Sequence, residues 1–108
     1  SVAAAAEIVA NGFNASAKGR LGPGVYMSAD MNMARKYAEK RRQHGAIISA
    51  EVDAGKVITM QDFDDSGSWQ TRGYDSAFLP QCYSKRSEPM EEWCIVNPSR
   101  IHMPKRVQ

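Results

Sequence analysis

The spacing of hydrophobic positions changes character along this chain. Near the start, Val2, Ala5, Ala6 and Val9 recur every three or four residues, which gathers them on one face of a helix. Asn11-Gly12 then supplies residue types that end a helix in the left-handed conformation, so an opening helix closed at Gly12 is expected. From Asn14 to Gly24, three glycines, a proline and several small or basic residues leave no period at all, and the stretch reads as a loop. Gly24 to Ser28 is short and β-prone, and Ser28 suits the cap of a second helix beginning near Ala29. That helix should run to about Gln43 and stop at Gly45, with Ala34, Tyr37, Ala38 and Arg41 sharing one face.

Beyond it the period becomes two. Ile48, Ala50 and Val52 alternate with Ser49, Glu51 and Asp53, the pattern of a half-buried strand. Lys56 to Met60 gives another after the turn at Ala54-Gly55, and the two together predict a hairpin. Gln61 to Tyr74 is acidic and rich in serine and glycine, a long surface loop with Phe63 and Trp69 as isolated anchors. Ser76 to Pro80, Glu92 to Asn97 and Arg100 to Met103 follow as three more short strands. Helices early, strands late, and neither repeat nor linker in 108 residues predict a single α+β domain spanning 1–108.

Charge and cysteine content narrow the class of function. Fourteen basic against twelve acidic residues give a net charge of +2, too small to identify a nucleic-acid binder. The cluster Arg35, Lys36, Lys40, Arg41, Arg42 reads as a solvated helix face, and it lacks the interleaved aromatics of an RNA-binding surface. The alanine-rich stretch Val2 to Ala10 is far shorter than the roughly 20 apolar residues that span a bilayer. No signal-peptide pattern precedes it, and two cysteines, Cys82 and Cys94, are few for a disulfide-built secreted domain. These features argue for an intracellular protein, cytoplasmic or nuclear, with unpaired thiols and no membrane partner. Cys82, Cys94, His44 and His102 form no metal-ligand spacing, so no metal is expected, and Cys94 reads as a small core residue within an apolar strand.

Three segments carry candidate chemistry. Leu21-Gly22-Pro23-Gly24-Val25-Tyr26 taken alone could be a turn entering a strand, Tyr26 and Tyr37 could be core residues, and Glu91-Glu92 could be a solvated strand end. Taken together, Gly22 to Ser28 followed by Ala34-Arg35-Lys36-Tyr37-Ala38 resembles the Gly-x-Gly-[Ile/Val]-Tyr-Phe...Ala-x-Tyr segment of PARP catalytic domains. Glu91 to Asn97 resembles that family's strand beginning with its triad glutamate. A nearer resemblance, covering almost the whole chain, is to the PARP-like interferon-response proteins of fish first described as grass carp reovirus-induced. It rests on Leu21 to Tyr26, Gly73 to Ala77, Glu91 to Cys94 and Pro98 to Ile101.

The resemblance implies an ADP-ribosyltransferase fold of two small, mainly antiparallel sheets meeting at a cleft, with NAD as substrate. Tyr26 and Tyr37 would sandwich the nicotinamide, Gly24 would belong to the same binding segment, and Tyr26 and Glu92 would be the catalytic pair. Glu92 would hold the ribose 2′-hydroxyl and stabilise positive charge developing as nicotinamide leaves, with Glu91 one register step away as the competing assignment. The implied activity is a glycosyltransferase reaction, transfer of mono-ADP-ribose to a protein or nucleic-acid acceptor. The alternative is an inactive interaction module, binding a partner or an ADP-ribose-like ligand, in antiviral innate immunity. Two departures bear on the choice. Ala34 stands where PARPs place a serine that bonds the nicotinamide amide, and the family's first strand, with its His-Gly-[Thr/Ser], would lie ahead of Ser1.

Overall fold

A computed structural model of the chain describes residues 2–29, 48–82 and 90–107. Helix α1 (Val2–Asn11) ends as its composition requires: Gly12 takes a left-handed φ of 87° and its amide closes on Ile8 O at 2.7 Å. Among the described residues six strands follow: β1 (Val25–Met27), β2 (Ile48–Val52), β3 (Val57–Thr59), β4 (Ser76–Cys82), β5 (Met90–Ile95) and β6 (Ile101–Arg106). The expected helix from Ala29 to Gln43 lies outside the described residues, apart from Ala29 itself.

The strands build two sheets, one four-stranded in the order β1-β5-β4-β3 and one formed by β2 and β6. The pairs β1–β5, β4–β5 and β2–β6 are antiparallel, whereas β3 lies parallel to β4. The architecture is thus α+β with two sheets. The expected hairpin of β2 with β3 does not form. Asp53 N donates to Arg100 O at 2.9 Å and Lys56 N to Asp75 Oδ2 at 2.7 Å, so the two ends of the turn are drawn to different partners and the strands enter different sheets. A two-residue turn signal fixes a hairpin only where both flanking strands lack better partners.

Alternation along β5 divides the interior in two. Cys94 packs on one face of the large sheet with Leu21, Trp69, Ala77 and Leu79, with Tyr26, Ile58, Met60 and Tyr74 at the margin. Ile95 packs on the other face with Val25 and Ile101, joined by Phe13, Met27, Ala50 and Trp93. Trp93 stacks on Phe78 across the β4–β5 pair, centroids 4.5 Å apart. The second face meets the small sheet through Ala50 and Ile101, while α1 lies against β6. The 61–74 segment, expected at the surface, contains a 3-10 helix over Ser68–Arg72 whose Trp69 is fully buried and donates its indole Nε1–H to Leu21 O at 2.8 Å.

Candidate functional site

The glycine-rich loop that enters β1 is bonded at every carbonyl from Arg20 to Gly24. Arg20 O accepts from Asp64 N at 2.8 Å, Leu21 O from Trp69, Gly22 O from the Tyr26 hydroxyl, and Gly24 O from Ser16 N at 2.7 Å. Pro23 O accepts from Gln70 Nε2 at 2.5 Å and from the Cys94 thiol at 3.6 Å. Gly22, at φ 88°, meets Gly67 so closely that a Cβ would stand 2.5 Å from the Gly67 Cα, so the sequence needs glycine there for two reasons.

Tyr26 turns back onto this loop. Its ring covers Gly19, leaving no room for a side chain there, and its hydroxyl accepts from Leu21 N at 2.9 Å while donating to Gly22 O. Burial raises the phenol well above its ordinary range, partly offset by the Leu21 amide, with the nearby Cys94 and Glu92 adding to the rise. Tyr26 sits directly opposite Cys94 across β1–β5, so the two side chains share a face. The Cys94 thiol is unpaired and fully buried, and burial pushes it up to about 11; the Tyr26 contact works against that rise and the Glu92 charge adds to it.

Glu92 follows the same alternation, two residues from Cys94 and opposite Leu79. One of its carboxylate oxygens, Oε2, is buried. Tyr26, Cys94 and Glu92 therefore lie together on one face of the large sheet. Glu91 leaves in the other direction: its Oε1 accepts from Ser28 Oγ at 3.1 Å and from Ala29 N at 2.6 Å. The Ser28 hydroxyl donates to Glu91, and the helix it is expected to cap lies outside the described residues, Ala29 apart. Ala34 and Tyr37 lie outside the described residues.

An open cleft of about 270 Å³ lies on the opposite face, lined by Met27, Ser28, Ala29, Ala50, Val52, Ala54, Trp93 and Ile95. Neither Tyr26 nor Glu92 lines it. Trp69 and Gln70 are not legible as neighbours of Tyr26, because what joins them is a tertiary contact between two loops, and Cys94 is not because strand pairing brings it opposite; the single local signal is the two-residue step from Glu92 to Cys94. No family model matches the chain, and no curated protein matches it.

Among the described residues no helix is long and apolar enough to cross a membrane. No three His, Cys, Asp or Glu side chains there gather in a way that could hold a metal ion.

Proposed function

We propose that this chain is a PARP-like domain that binds NAD and transfers mono-ADP-ribose to a macromolecular acceptor, with Tyr26 and Glu92 at the nicotinamide-ribose end of the site. The observation that carries the reading is the convergence of Tyr26 and Glu92, distant in sequence, on one sheet face within electrostatic reach of each other. A carboxylate beside an aromatic wall is the arrangement that stabilises an oxocarbenium-like ribose as its base departs. Of the two adjacent acids, Glu92 fits the role, since Glu91 is bonded to Ser28 and Ala29 on the other side.

One observation favours the second reading, an inactive interaction module of the same fold. The Tyr26 hydroxyl both accepts and donates within its own loop, which leaves the phenol committed to structure. Calorimetric NAD titration combined with transfer from labelled NAD separates the two. The catalytic reading expects binding, and transfer that falls at least about 100-fold in Glu92→Gln, the scale of losing one charge-stabilising group. Binding without transfer would select the inactive module, and absence of both would remove NAD from the account.

A further inference from the structure

The loop holding Tyr26 is itself held by side chains from a segment the sequence leaves as surface. Trp69 and Gln70, adjacent on the 3-10 helix, reach Leu21 O and Pro23 O, the carbonyls on either side of the one that takes the Tyr26 hydroxyl. Gln70 can do so because the two loops touch at a glycine pair. Its Nε2 stands 3.4 Å from where a Cβ on Gly22 would lie and 3.2 Å from the equivalent point on Gly67. Unlike Trp69, whose ring fills the core, Gln70 is only half-buried, and the one described bond of its side chain is the one to Pro23.

We propose that Gln70 is a positioning residue for Tyr26: its amide latches the Leu21–Gly24 loop, and the latched loop fixes where the phenol stands relative to Glu92. The relevance of that placement to NAD rests on the function proposed above; the latch itself does not. A bond to a backbone carbonyl at the loop's centre restrains the loop without adding apolar packing, so its loss frees Tyr26 more than it unfolds the protein.

Gln70→Met keeps the length of the side chain and removes the donor. Amide exchange of the whole chain, resolved by residue, reads the latch through the Leu21 amide, which donates to the Tyr26 hydroxyl. Exchange at Leu21 should quicken by about tenfold, the scale of one net hydrogen bond, while amides in the β4–β5 ladder keep their protection. The tyrosine absorbance titration, assigned by subtracting Tyr26→Phe, should show the Tyr26 phenol ionising at lower pH in Gln70→Met, and Gln70→Asn should restore neither signal, because it falls one methylene short. Unchanged Leu21 exchange together with an unchanged Tyr26 titration overturns the latch, as does a uniform loss of protection across both sheets. NAD titration of wild type and Gln70→Met keeps the two proposals apart: failure of wild type to bind NAD, with Leu21 responding as described, removes the functional reading and leaves the latch standing.

Discussion

At the scale of single residues, the Tyr26–Cys94–Glu92 group sets how the protein should respond to alkali. Folding raises both the Cys94 thiol, from 9.0 to about 11, and the Tyr26 phenol, in each case chiefly because burial disfavours the anion. For a group raised in the folded state, the unfolded chain loses its proton first. The stabilisation from Cys94 is therefore complete below pH 9 and is lost as pH climbs toward 11, with Tyr26 extending the loss to higher pH. Melting temperature is expected to hold level from neutral pH to about pH 8.5 and then decline. In Cys94→Ala the decline between pH 9 and 11 should be shallower; an identical slope would show that the thiol is not the titrating group. The same burial makes Cys94 a poor nucleophile near neutrality, so in the native state it should react with thiol reagents far more slowly than an exposed cysteine.

Among the elements, Arg100 ties the two sheets. Its Nη1 meets Asp53 Oδ2 at 3.2 Å just past β2, and its Nη2 meets Asp75 Oδ1 at 3.3 Å just before β4. Asp53 is largely exposed, so its pair contributes little, while Asp75, which also accepts the Lys56 amide, is the better-held partner. Arg100→Ala should lower stability by about 0.5–1 kcal/mol in urea unfolding, and Arg100→Lys should recover only part, because an ammonium cannot fork between two carboxylates. A loss within error of zero would mean the tie is solvated. This network is what the sequence could not disclose. Local period and propensity located α1 and the six described strands to within a few residues, since each depends on neighbours in the chain. Pairing does not: the Ala54-Gly55 turn looks like a hairpin, and only the distant Asp75 and Arg100 show why β2 and β3 part there. In the same way, Glu92 and Tyr26 were legible as candidates from their motifs, whereas the bonds that commit the Tyr26 hydroxyl to Gly22 and the glutamine above it come from a loop with no periodic signal.

For the whole molecule, the redox state follows from the interior. Cys94 is enclosed as a free thiol within the core, and both cysteines are expected to be unpaired. Titration of the denatured, unreduced protein should count two thiols per chain, and a count of zero would refute the expectation.

The position of β5 has a consequence for how the chain is made. It is an inner strand of the large sheet, bonded to β1 on one side and β4 on the other, yet it comes after both in the chain. Val25 must wait for Ile95, and at translation rates of about 5–20 residues per second the wait lasts roughly 4–14 s. During that time β1 has no ladder, and the apolar side chains of Leu21, Val25 and Leu79 are without the strand that encloses them. Such high contact order slows folding and gives the nascent chain a period of aggregation risk. Released chains truncated after residue 88 should consequently be protease-sensitive, and resistance should arise in a single step in chains long enough to include β5. Early resistance, before β5 is available, would mean that β3 and β4 find a stable partner without it.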